Sequence, residues 1–118
     1  MINPVCRVII FVEDMPLMAN FYSNLINGRD LTTEEINEHW TEIANPGLSI
    51  ALHSGGKKTS EAKLQDIKLC FHAPNSTGLD ETMRRIGASV VSERLPVDGV
   101  LVKDFLDPEG NEFSIEVY

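Results

Sequence analysis

The chain has 118 residues, 42% of them hydrophobic, and a formal net charge of −8 from 18 acidic against 10 basic side chains. That is enough apolar chain for one real core, too little for two ordinary domains, and it excludes wholesale disorder. The excess of acid repels phosphate backbones, so no nucleic-acid partner is expected, and no apolar run nears the roughly 18 residues needed to cross a bilayer, so no membrane partner is expected either.

The apolar run Val8–Val12 follows Met1 closely and lacks the basic start and small-residue cleavage site of a signal peptide. The sequence therefore reads as soluble and cytoplasmic. Cys6 and Cys70 are the only cysteines. They are too few for a disulfide scaffold and match no zinc spacing, so they read as reduced thiols packed as small hydrophobes.

In chain order, residues 5–12 are β-rich and read as a strand. Asp14 caps a helix that Pro16 starts, with Leu17, Met18, Phe21, Tyr22 and Leu25 on one face and Asn27-Gly28 as its stop. Short strands are expected at about 31–36 and 38–44, then a turn at Asn45-Pro46-Gly47 and a strand at 48–54. Glu13, Glu34, Glu35 and Glu38 read as solvated surface charge. The polar, glycine-bearing stretch 55–65 reads as a linker.

A strand at 66–73 follows, then a helix capped by Ser76 or Thr77 and ended by Gly87. Asp80 and Glu81 in its first turn and Arg84 and Arg85 in its last suit the helix dipole. Strands are expected at about 89–95, 100–106 and 111–117, with turns at Asp98-Gly99 and Asp107-Pro108-Glu109-Gly110.

The halves repeat. A shift of 61 lays Arg7 on Lys68, Val8 on Leu69, Ile10 on Phe71, Met18 on Leu79 and Tyr22 on Met83. The shift grows to 62 or 63 near the ends, where Ile43-Ala44-Asn45-Pro46 lies over Phe105-Leu106-Asp107-Pro108. The expected architecture is a single α+β domain over residues 1–118. It is built from βαβββ modules at 1–54 and 66–118.

A tandem βαβββ repeat of this size resembles the vicinal oxygen chelate superfamily of glyoxalases, bleomycin-resistance proteins and extradiol dioxygenases. The segments that carry the resemblance are Val8–Asp14 running into a helix with the Phe21-Tyr22 pair, and Asp107-Pro108-Glu109-Gly110-Asn111 before the last strand. The resemblance implies curved sheets closing around a cup, and a homodimer. In metal-dependent members it implies His and Glu ligands on the first and fourth strands of each module. Here those positions fall on Arg7, Lys68, Ala51 and Ser114. Arginine and lysine are donors only and alanine has no donor atom, so no metal and no other cofactor is expected.

Strand alternation extends the implied ligand-binding set to Arg7, Ile9, Phe11, Ala51, His53, Lys68, Cys70, His72, Ser114 and Glu116. Arg7 and Lys68 can grip an anion, or Arg7 can pair internally with Glu116 or another acid. His53, His72 and Glu116 are a weaker candidate for a displaced metal site. Trp40, the only tryptophan, can stack on a flat or cationic ligand if it faces the cup, or can pack in the core or at a dimer contact.

The expected function is a metal-free binder of a small organic molecule in a dimeric cup. The alternatives are a glyoxalase- or dioxygenase-like lyase, isomerase or oxidoreductase, and a structural or regulatory dimer without ligand. No catalytic residues are assigned, and the balance leans against an enzyme.

Overall fold

A computed structural model describes residues 1–59, 61–97 and 99–118. Among these residues the chain is mixed α+β, with two curved open sheets of three and four strands and two helices. Two compact units divide the chain, Met1–Lys58 and Thr59–Tyr118. No helix is long and apolar enough to cross a membrane.

The first unit runs β1 (Arg7–Val12), α1 (Met15–Asn27), β2 (Trp40–Ile43) and β3 (Ser49–Ser54). The helix forms where the sequence asks for it. Asp14 Oδ1 accepts the Leu17 N–H at 3.1 Å, proline occupies the first turn, and Gly28 closes the end at φ 71°, a left-handed conformation that costs glycine nothing. In the sheet, β3 lies between β1, parallel to it, and β2, antiparallel to it. One sheet face carries Val12, Thr41, Ile43, Ile50 and Leu52, all buried, and α1 supplies Met18, Phe21 and Tyr22 to the same core.

The strand expected at 31–36 does not form. Local side-chain hydrogen bonds fold that stretch into a turn instead. Glu35 Oε1 accepts the Thr32 N–H at 2.9 Å, Thr32 Oγ1 accepts the Glu35 N–H at 3.2 Å, and the Arg29 guanidinium grips both Glu35 oxygens at 3.0 and 2.9 Å. Such reciprocal capping offers the backbone partners that a sheet ladder would otherwise supply. Glu35 is thus a turn-building residue and not merely solvated charge.

The second unit runs β4 (Leu69–Ala73), α2 (Leu79–Ile86), β5 (Ser89–Val97), β6 (Val100–Leu106) and β7 (Glu112–Val117), with sheet order β4-β7-β6-β5. Phe105 and Phe113 stack at 5.6 Å, and Phe71 meets Phe113 edge-on at 5.9 Å. These rings share a face with Ile115, and Met83 of α2 is also buried. Lys103 sits on this face and pairs with Asp80 of α2 at 2.5 Å.

The cap of α2 differs from expectation. Its N-cap is Gly78, no side chain caps it, and Ser76 contributes its backbone carbonyl to the Leu79 N–H at 3.1 Å. Asp98 of the expected Asp98-Gly99 turn lies outside the described residues, as does Ser60 of the expected linker.

The turn after β6 explains its own sequence. Asp107 Oδ1 accepts the backbone N–H groups of Glu109 and Asn111, both at 2.9 Å, and Oδ2 accepts the Asn111 side-chain amide at 2.7 Å. At Gly110, φ is 90° and an added Cβ would lie 2.6 Å from the Glu61 carbonyl oxygen, so only glycine fits.

Candidate functional site

In each unit one sheet face packs its helix and the other is open. On the first sheet, register fixes two rows across the open face. Phe11 is beside His53, which is beside Trp40, and Ile9 is beside Ala51, which is beside Glu42. The rings follow the rows. Phe11 and His53 have centroids 5.3 Å apart, and His53 meets Trp40 edge-on at 6.1 Å.

Arg7 reaches along this face, its guanidinium carbon 5.7 Å from the Trp40 ring centroid and its Nη2 3.2 Å from Glu42 Oε1. The Arg7 and Glu42 side chains are 40% and 52% exposed, and Phe11 remains 55% exposed. This is an apolar, aromatic surface with one cation leaning over it.

On the second sheet the rows are Cys70, Ser114, Asp104 and Ser92, then His72, Glu116, Val102 and Arg94. Asp104 is their hub. Its side chain, 6% exposed, takes Ser114 Oγ at 2.5 Å, Ser92 Oγ at 2.8 Å, Lys68 Nζ at 3.3 Å and Arg94 Nε and Nη2 at 3.2 Å each. Burial alone would raise the Asp104 pKa, but the donors Arg94, Ser114, Ser92 and Lys68 outweigh it and hold the carboxyl well below the usual range.

Lys68 also pairs with Glu112 at 3.2 Å. Desolvation pulls its pKa down, yet Glu112 and Asp104 push it up on balance, the opposite of what a lysine base working near neutrality needs. A hollow of about 370 Å³ beside it is lined by residues 63–68 and Glu112.

The sequence-derived residues divide between the units. Arg7, Ile9, Phe11, Ala51 and His53 lie together on the first open face, with Ala51 fully buried between its neighbours. Cys70, His72, Ser114 and Glu116 lie on the second, where Ser114 is fully buried and Lys68 is bound into the hub. His72 Nε2 lies 2.9 Å from the Tyr118 carbonyl oxygen and its ring packs on Tyr118 at 4.2 Å.

Arg7 takes the internal acid that alternation allowed, and that acid is Glu42. Trp40 faces His53 and Arg7 on the open side. Cys6 and Cys70 are free but exposed, not packed: Cys6 precedes β1, and Cys70 alternates onto the open face of β4.

The residues that sequence reasoning missed are Glu42 and Asp104. The repeat itself pointed to them, since the shift of 62 that lays Ile43 on Phe105 lays Glu42 on Asp104.

These residues do not fit the metal that the resemblance implies. At the implied positions Arg7 and Lys68 are cations engaged by carboxylates, Ala51 offers no donor atom, and the Ser114 hydroxyl is given to Asp104. Among the described residues no group of three or more His, Cys, Asp and Glu side chains is placed to hold an ion.

Two open sheets, each packing a helix on one face, make up an α+β fold. The chain belongs to the glyoxalase-like domain family, whose model matches residues 7–116. That places it in the vicinal oxygen chelate superfamily. No curated protein matches the sequence.

Among solved structures it is similar to the hypothetical protein SA1046 from S. aureus, at TM-score 0.70 and 18% identity, covering 100% of this chain and 95% of that one. It is likewise similar to a glyoxalase-related enzyme from Fulvimarina pelagi, at TM-score 0.71 and 19% identity over 99% and 89% of the two chains. The fosfomycin resistance protein FosX from Mesorhizobium loti aligns at TM-score 0.71 and 16% identity over 100% and 94%. At these identities the likeness is one of fold.

Proposed function

We propose that the chain binds a small organic molecule on the open faces of its sheets and does so without the metal chemistry of metal-dependent relatives. One observation carries this reading. The first open face is mostly aromatic and apolar, solvent-facing at Phe11 and Ile9, and carries a single convergent cation in Arg7. That composition is the usual make-up of a small-molecule site.

Ile9, Phe11, Ala51 and His53 supply the surface and Arg7 the polar anchor. Cys70, His72, Ser114 and Glu116 form the corresponding face of the second unit, with Lys68 beside it. Two copies of the chain associate, and the protein acts in the cytoplasm. No residue is assigned to catalysis, and Lys68, whose pKa is pushed up by Glu112 and Asp104, does not serve as a base. Neither nucleic acid nor membrane is a partner.

A thermal-shift screen against metabolites and aromatic compounds, run with and without zinc, nickel and manganese, tests the reading. The expected result is an organic compound that raises Tm by mass action with no metal present. A shift that appears only with a divalent ion would overturn the metal-free reading. No shift with any compound would overturn ligand binding.

A further inference from the structure

We infer that the ligand of the first open face is a flat aromatic carboxylate, its ring resting on Phe11 and His53 beside Trp40 and its charged group taking Arg7 from Glu42. This rests on the small-molecule reading above and adds the ligand's shape and charge.

The shape follows from register. Phe11, His53 and Trp40 come from three strands and fall in one row, with ring centroids 5.3 and 6.1 Å apart. A row of rings that keeps one member, Phe11, 55% exposed is a platform for another ring, which gains contact area and ring–ring attraction there.

The charge follows from Arg7. Its guanidinium stands beside the platform, 5.7 Å from the indole centroid, with Nη2 3.2 Å from Glu42 Oε1. Both side chains of that pair are well exposed, at 40% and 52%, and an ion pair in such a setting is weak and exchangeable. A ligand carboxylate that meets the guanidinium with two parallel hydrogen bonds, while its ring is desolvated on the platform, offers more than Glu42 does.

The matching cation of the second unit has no such freedom. Lys68 is bound to both Asp104 and Glu112, and the Asp104 side chain is only 6% exposed. A cationic ligand would find Glu42 already engaged by Arg7.

Three naphthalene probes of near-equal shape separate the possibilities: naphthoate, neutral naphthylmethanol and naphthylmethylammonium. Each is titrated into the full chain by calorimetry and by the indole N–H resonance of Trp40, the only tryptophan. Naphthoate is expected to move that resonance saturably and to bind about tenfold or more tighter than the neutral analogue, the margin of a charge-assisted bidentate contact. Arg7→Gln abolishes the margin. Glu42→Gln, which removes a competitor and touches only an exposed side chain, tightens naphthoate binding by a few fold.

If the neutral or cationic probe binds as well as naphthoate, or Glu42→Gln weakens naphthoate, the carboxylate assignment falls while small-molecule binding stands. If none of the three probes binds and no compound in the broader screen does, both fall.

Discussion

Arg7 and Lys68 occupy matching places in the two halves, each two residues ahead of a residue registered with the last strand of its module, and each meets an acid from the strand before that one. Their fates differ. Arg7 and Glu42 form an exposed pair, whereas Lys68 joins a hub in which Asp104 is nearly sealed from water. The cause lies one strand away. In the second unit β5 runs beside β6 and brings Ser92 and Arg94 onto Asp104. In the first unit the stretch that would have been the equivalent strand is a turn, so among the described residues β2 is an edge and no strand pairs with it on the outer side of Glu42. A repeat can thus conserve a charge pair in register and still make one copy structural and the other available, through the presence or absence of a flanking strand.

The sharpest way to break this contrast is to truncate one phenylalanine from each sheet. Phe113 is 1% exposed, stacked on Phe105 and met edge-on by Phe71, so Phe113→Ala is expected to cost about 3–5 kcal/mol, the range for emptying an aromatic site in a core. Phe11 is 55% exposed, and Phe11→Ala is expected to cost less than about 1 kcal/mol. Urea unfolding of the two variants measures both. Equal losses would mean that the first face is covered in solution and not open.

The charge pairs sharpen it next. Asp104→Asn takes the charge from a nearly buried carboxylate that Ser114, Ser92, Lys68 and Arg94 all engage and is expected to cost about 1–3 kcal/mol, against about 0.5 kcal/mol or less for Glu42→Gln. The pH dependence has a definite sign. Because the folded Asp104 pKa is depressed, its contribution is fully present above the unfolded value near 4 and is lost progressively as pH falls below that toward the lower folded pKa. The stability gap between the parent and Asp104→Asn is therefore expected to be flat from pH 7 to about 5 and to narrow on further acidification. A gap that stays constant to about pH 2.5 would show that the hub does not act through the charge of Asp104.

Much of this was legible in the residues. Asp14, Pro16 and Gly28 bracket α1 as their chemistry requires, and the 61–63 shift gives the order of strands, because hydrophobic alternation and turn chemistry are local signals. The membership of the first open face was legible too, since alternation alone puts Arg7, Ile9 and Phe11 on one side. What alternation cannot give is the partner across the sheet. Glu42 and Asp104 become neighbours of Arg7 and Lys68 only through pairing register, and the sealing of Asp104 depends on β5, which is distant from Lys68 in sequence. The stretch 31–36 misled because its Leu, Thr and Ile suit a strand, while Thr32 and Glu35, three apart, suit a capping turn, and the side-chain bonds prevailed.

That turn supplies the finest test of the contrast, since it is what leaves Glu42 at an edge. The Glu35 carboxylate is gripped by Arg29 and accepts the Thr32 N–H, and these hold its pKa down from 4.5 to about 2. A carboxyl-carbon NMR titration is expected to give Glu35 a midpoint of about 2 at low salt. In Arg29→Gln the midpoint should rise toward 4.5, with the Thr32 hydrogen bonds still holding it below that value. Because the group is exposed, added salt should move the parent in the same direction through screening of the Arg29 charge. A depressed pKa means that the turn is favoured above the ordinary carboxylate range and loosens only as pH drops toward 2, so Thr32 and Glu35 amide protection should persist through mild acid and fall in strong acid. An ordinary Glu35 midpoint in the parent would instead mean that residues 31–36 are not held as a turn by these side chains, and the explanation for the exposed Arg7–Glu42 pair would lose its first step.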